Sequence, residues 1–371
     1  MSHKSRPCVF RTSLQTMATA MSGLTLLVLT CGPDTAKAGQ SVFNQYMVQA
    51  LQGNVSQALR LFENSPSGVT SGADQVLAEQ YRRRFLARDE SGPQSSGDGF
   101  IDETVSIYRK YWLQSLMGES SSAQAEIMLN DSLGKLLSRF KLRDESAHSG
   151  NILNSVGEAI GKRGFHYFND NSPPLQDLMI WGEQSVEVYK VELTDSTLTV
   201  PVIFMDDFYS LGWSYFATFG LASTGGWAAA DALYCVAWFY DRESENFNVS
   251  YLKHEGRHFA DYTRYPKLQE TDLEYRAKLT ELAFASSSLP RLLREFGNKA
   301  APNPGSPHAY ANYKVSRDLY QAIFDSPLPD TGNPWELISA GRVNPAARAL
   351  LAEHTRKLEF AGAADVKGVD Y

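Results

Sequence analysis

The sequence predicts an α+β protein, and three observations carry that prediction. Apolar residues recur at three- and four-residue spacings from Ser41 to about Gly161. Between about 185 and 240 they alternate or run continuously in β-branched stretches, and beyond that the helical spacing returns. Helices, then strands, then helices is the order of segregated elements rather than of repeating βαβ units. The chain has 371 residues, 43% apolar and 21% charged, enough to bury a substantial core.

The N-terminus stands apart from that pattern. Lys4, Arg6 and Arg11 precede an acid-free apolar run, Met17–Cys31, and "AKAG" at 36 to 39 supplies small residues for cleavage. A basic flank, an apolar run too short to span a bilayer and a cleavage site, in that order, predict a secretory signal peptide over 1–38. The protein is then expected in the periplasm or outside the cell. A lipid anchor at Cys31 is the lesser alternative, because Val-Leu-Thr precedes that cysteine where a small residue is expected at the last position. Four basic residues and one acid fall in the leader, leaving 31 basic and 41 acidic residues and a net charge of −10. Such a surface repels nucleic acid and anionic headgroups, so neither is an expected partner. No later segment is apolar and long enough to be a transmembrane span. Cys235 is the one cysteine beyond the leader, which excludes a disulfide framework. Set in "ALYCVAWFY", it reads as an inert core residue.

The predicted organisation is a helical region over 39–161 and an α+β domain over 162–371. "VFNQYMVQALQGNVSQALRLFEN", "IDETVSIYRKYWLQSLMG" and "AQAEIMLNDSLGKLLSRF" read as helices, with "RDESGPQSSGDG" a polar loop between them. "SVEVYKVEL" (185–193) and "STLTVPVIFM" (196–205) read as strands, and "DALYCVAWFY" (231–240) as a third, buried on both faces. The Gly pair of "LASTGGWAAA" predicts a tight turn, and the Asp pair of "MDDFY" a turn at a strand end. The closing helices are interrupted at 298–307 and 326–334, both rich in Pro.

The residues that carry chemistry follow the polar turn "DRESENFN". "HEGRH", 254 to 258, puts His254 and His258 four apart on one helical face, where two imidazoles can aim at one ion. Glu255 lies about 100° round the helix, within reach of a water on that ion without being a ligand. Pro266 ends this helix, and "ETDLEYRAKLTELAFA" (270–285) begins another. A carboxylate from the second helix can complete three ligands. Glu274, one turn in, is the foremost candidate, and Glu270 and Asp272 are alternatives. Glu281, two turns later on the same face, can orient a ligand, and Asp261 and Tyr262 also lie near the histidines' face.

"HEGRH" followed by a helix bearing "LEYRA" resembles the active-site helix pair of gluzincin-type zinc metallopeptidases, over about thirty residues of the chain. The resemblance implies a zinc ion held by His254, His258 and Glu274, with Glu255 as general base. It departs from that group in two places. Fifteen residues separate His258 from Glu274, a short spacing, and Lys278 stands where many members carry an acid. Zinc acidifies water to a pKa of about 7 and polarises a carbonyl, while the base takes the proton. A donor for the developing oxyanion is expected from His308 or Tyr310 in "PHAYANYKVSRDLY", where Tyr313 is also present. Zincins tend to carry a substrate-binding edge strand before the motif helix, and "WAAADALYCVAWFY" occupies that place. His148, His166 and His354 stand alone and predict ordinary surface or core histidines. There is no G-x-S-x-G, Walker or dinucleotide signature. The expected function is an exported zinc-dependent hydrolase acting on peptide or protein. The alternative is a non-catalytic envelope protein whose H-E-x-x-H helix is incidental or structural.

Overall fold

A computed structural model of the protein describes residues 25–28, 42–64, 72–88, 95–142, 151–329, 334–335 and 338–369. The expected cleavage site, Cys31 and His148 lie outside the described residues, as does all of the expected leader except 25–28. The observed architecture is α+β, as the periodicities predict. Its first part is helical: α1 (Val42–Leu51), α2 (Val55–Asn64), α3 (Gly72–Tyr81), α4 (Gly99–Leu116), α5 (Ser122–Arg139) and α6 (Ile152–Gly161). The long pattern from Val42 to Asn64 is two helices, because the chain turns at Gly53 with φ +78°. Asp98, Ser121 and Asn151 accept backbone N–H groups at the starts of α4, α5 and α6, which sets where each begins. Tyr46, Tyr81, Phe100, Trp112 and Leu133 form their core, and the same cluster continues into Leu178, Ile180, Trp213 and Phe216 of the sheet region.

The sheet contains β1 (Thr25–Val28), β2 (His166–Ser172), β3 (Leu175–Glu192), β4 (Thr197–Leu211), β5 (Ala222–Ala228) and β6 (Leu233–Val236). Their spatial order is β1-β5-β6-β4-β3-β2. All neighbours are antiparallel except β4 and β6, which run parallel with Val202 opposite Leu233. A short helix, α7 (Gly212–Thr218), links β4 to β5.

Four local expectations are corrected here. The central hairpin is longer than its β-branched core, because β3 and β4 extend over less patterned residues paired as far as Met179 and Leu211. The Gly pair sits inside β5 rather than in a turn: a Cβ on Gly226 would lie 2.3 Å from the Tyr234 carbonyl and 2.5 Å from the Tyr251 ring. Asp206 and Asp207 lie within β4, where Asp207 takes a positive φ of +52° beside a shift of register. The third strand is shorter than expected, and it is not an edge, since β6 lies between β4 and β5.

One face of the sheet receives the motif helix. Val191, Val200, Val202, Phe204 and Cys235 pack with Phe247, Tyr251 and Leu252. Burial pushes the Cys235 thiol up to about 12, in keeping with an inert core residue. The closing helices are α8 (Leu252–Arg264), α9 (Glu270–Phe284), α10 (Leu289–Asn298), α11 (Pro307–Phe324) and α12 (Ala340–Ala361). Leu279, Leu282, Leu292, Val315, Val343 and Leu351 form the core between α9, α10, α11 and α12. Among the described residues no helix is long and apolar enough to cross a membrane.

Asp177 ties two elements of the sheet region together. Its Oδ1 accepts the amides of Leu178 (2.9 Å) and Trp213 (2.8 Å), fastening β3 to the start of α7. Burial raises this carboxyl to about 7 against the partial opposition of those two donors. The folded protein therefore keeps a proton that the unfolded chain releases near pH 4, so this group's stabilisation is lost as pH rises from about 4 to 7. The stability of wild type minus that of Asp177→Asn is expected to fall across this window, with a slope approaching about 1.4 kcal/mol per pH unit. Urea unfolding of both proteins at several pH values measures it, and a difference independent of pH would contradict the assignment.

Candidate metal centre

The centre is built by α8 and α9, which leave and re-enter at the Pro266 break. Tyr265 N–H donates to Asp261 O (2.7 Å) and Gln269 N–H to Lys367 O (2.8 Å), so the connecting turn is held by α8 on one side and the C-terminal segment on the other. Gly256 allows α8 to approach the sheet, because a Cβ there would already stand 3.1 Å from Val191 Cγ1. Asp261 and Arg276, both fully buried, form a two-pronged ion pair across α8 and α9, with Nε–Oδ2 at 2.7 Å and Nη2–Oδ1 at 3.1 Å.

With the two helices held so, the side chains foreseen as ligands meet. One ligand atom from each of His254, His258 and Glu274 lies within 4.8 Å of the others, and all three residues are buried. The Nε2 atoms of His254 and His258 are 3.2 Å apart, and His258 Nε2 is 3.2 Å from Glu274 Oε1. Tetrahedral ligands at about 2.0–2.1 Å from a common ion stand roughly 3.3 Å from one another, so these separations suit one cation. The tautomer agrees. His254 Nδ1 lies 2.7 Å from Glu281 Oε1, so it carries the proton donated there and leaves Nε2 as a lone pair facing the centre. Neither oxygen of Glu274 has a hydrogen bond of good geometry, although both are buried and His308 Nδ1 stands 2.8 Å from Oε2. Two imidazoles and a buried carboxylate converging on one point make up the donor set of a borderline divalent ion.

The buried carboxylates and imidazoles also set one another's ionisation. Burial alone would push the Glu274 carboxyl up, yet His308 and His258 beside it hold it well below the usual carboxylate range. Burial opposes protonation of His254, but the Glu281, Glu274 and Glu255 carboxylates raise it.

The alternative ligands go elsewhere. Asp272 Oδ1 is 3.0 Å from His354 Nε2, on the side of α9 that meets α12. Glu270, half-buried one turn before Glu274, is not in the converging group. Glu255 is fully buried on α8, and its charge bears on His254 and Tyr262. Tyr262 stacks on His258 at 6.1 Å, and its buried hydroxyl has no hydrogen-bond partner among the described residues.

His308, at the start of α11, brings Nδ1 to 2.8 Å from Glu274 Oε2 and is 39% exposed, the most open of these side chains. Tyr310, two residues further and so nearly opposite on the helix, stacks with Tyr313 at 6.2 Å and is not brought to the triad by that contact. His354 is not solitary: it also meets Arg276 Nη1 at 3.3 Å. His166 packs its ring against Trp181. The sequence treats Arg257, Arg276 and Asp195 as unremarked charges. Arg257 spans Asp261 and Asp195, the latter in the β3–β4 turn. They stand among many other charges in two charged helices and a turn, and that pattern does not name partners.

Comparison with known proteins returns no match: no family model, no curated protein and no solved structure corresponds to the chain. The site therefore rests on its own geometry. With zinc as probe ion, the wild type is expected to retain about one metal per chain after dialysis. His258→Ala and Glu274→Ala should lose it, and Asp272→Asn should keep it. Glu281→Gln is expected to weaken binding about 10- to 100-fold. Metal content by elemental analysis and chelator competition decide each case, and retention by Glu274→Ala would remove that residue from the set.

Proposed function

We propose that the protein is an exported zinc-dependent hydrolase, acting on the amide bond of a peptide or protein substrate. The observation that carries this reading is the buried convergence of His254 Nε2, His258 Nε2 and Glu274, with His254 oriented by Glu281 and Glu255 adjacent on the same helix. Two nitrogens and one oxygen match a catalytic zinc site, which keeps a position open for water or substrate. When bound there, zinc would acidify water and polarise a carbonyl.

The chain's own groups divide the remaining work. Glu255 accepts the proton from the attacking water and returns it to the leaving nitrogen, a role suited to a carboxylate removed from bulk solvent. Glu281 holds His254 in the tautomer that presents Nε2. His308 is favoured over Tyr310 as the donor toward a developing oxyanion. Its Nδ1 turns to Glu274, so only its imidazolium form has an Nε2–H to donate to a substrate oxygen, and it is the more open flank of the centre. An acidic surface suits neither nucleic acid nor anionic membrane as partner.

A second reading has an observation of its own. His254, Glu255, His258 and Glu274 are each at most 2% exposed, as in an ion that fastens α8 to α9 without turning over substrate. Glu255→Gln separates the two. The catalytic reading expects this variant to bind zinc as the wild type does and to lose about 10²- to 10⁴-fold in turnover. Zinc content and cleavage of a mixed peptide library, followed by mass spectrometry, provide the test. Equal cleavage by both proteins would remove Glu255 as the base. A zinc-loaded wild type that cleaves nothing, yet unfolds at lower temperature once chelated, would establish the fastening role.

A further inference from the structure

The two oxygens of Glu274 have different surroundings. Oε1 faces His258 Nε2 at 3.2 Å. Oε2 faces His308 Nδ1 at 2.8 Å and Lys278 Nζ at 3.7 Å, with His254 Nε2 next at 3.8 Å. We propose that Lys278 is a positioning residue of the metal centre: with His308 it clamps Oε2, so that Glu274 presents Oε1 alone to the ion. This rests on the reading of His254, His258 and Glu274 as ligands.

A Glu and a Lys four apart on a helix are ordinarily a solvated pair contributing a few tenths of a kcal/mol. This pair is different in its burial. The Lys278 side chain is 9% exposed and that of Glu274 1%. A lysine is seldom so buried without an opposing charge. Its ammonium lies 5.0 Å from the centroid of the Phe296 ring on α10, a cation–π contact that fixes the side chain from the far side. The next carboxylate along that face, Glu281, is committed to His254, which leaves Glu274 as the ion-pair partner of Lys278.

The consequence concerns coordination. A carboxylate with both oxygens available can close on an ion as a bidentate ligand and use up the position a hydrolase needs for water or substrate. A cation and an imidazole held on the second oxygen favour single-oxygen ligation and keep the ion four-coordinate with one site open. The lysine that departs from the gluzincin pattern thus has a physical role: a positive charge there stabilises the ligand carboxylate, where an acid would repel it.

The test compares full-length wild type with Lys278→Met, which keeps the stem and removes the charge, and Lys278→Arg, which keeps the charge. Zinc affinity is measured by chelator competition, and the visible spectrum is recorded after loading with cobalt(II). Lys278→Met is expected to bind zinc about 10- to 100-fold more weakly, with a weaker cobalt absorption as coordination number rises. Lys278→Arg should restore most of both signals. Lys278→Gln serves in place of Met if the latter does not fold, judged by circular dichroism. Wild-type affinity and an unchanged cobalt spectrum in the charge-removing variant would overturn the clamp while leaving the ligand set intact. A wild type that binds neither ion would overturn the ligand set itself, and the clamp with it.

Discussion

The centre depends on one buried ion pair, Asp261 with Arg276. Both residues are fully inaccessible, and the guanidinium meets both carboxylate oxygens. Replacing such a pair by apolar groups often costs nothing, but removing one partner strands a charge in the core and costs about 3–5 kcal/mol. What the pair supplies here is register. Apolar packing between α8 and α9 would tolerate a slide or rotation, whereas a planar fork accepts one relative position. The arms extend outward. Arg257 ties Asp261 to Asp195 at the tip of the β3–β4 hairpin, and Arg276 reaches His354 Nδ1 and Thr355 Oγ1 (3.1 Å) on α12. The sheet and three helices are thereby referenced to one point, a turn away from His258.

That framework explains how the core accommodates so much charge. Glu255, Glu274 and Glu281 are all buried beside two imidazoles, a combination that unpaired would be costly. Lys278 and His308 offset part of it at Glu274, and Glu281 shares a proton-bearing nitrogen with His254. A divalent ion at the convergence would balance the remainder, so the electrostatics and the ligand geometry make the same demand. Chemistry and stability are coupled at this point. The carboxylate that would hold the ion also neutralises the lysine, and the one that orients His254 lies on the same face of α9.

The sequence made the helices legible and the sheet only partly so, for a physical reason. An amphipathic helix announces itself locally, since its apolar face recurs every three or four residues whatever it packs against. Polar "HYFNDNS" becomes β2 because it pairs with β3 along its whole length, and glycine-rich "ASTGGWA" becomes β5 because Tyr234 and Tyr251 crowd it. Neither strand owes its form to its own pattern. His354 likewise looked solitary, and its partners Arg276 and Asp272 come from a helix some eighty residues earlier in the chain.

For the candidate site the division is similar. The spacing of His254 and His258, the position of Glu255 beside them and the break at Pro266 are local facts, because helix geometry and proline stereochemistry act within a few residues. By itself, then, the sequence determined that two imidazoles share a face and that an acidic helix follows. It could not choose among Glu270, Asp272 and Glu274, or between His308 and Tyr310. Those choices depend on the rotation of α9 and the approach of α11, which are set by contacts between residues far apart in the chain. Tertiary structure turns Asp272 to His354 and Glu274 to the histidines, and it makes Lys278, a mere departure from pattern in the sequence, a neighbour of the Glu274 carboxylate.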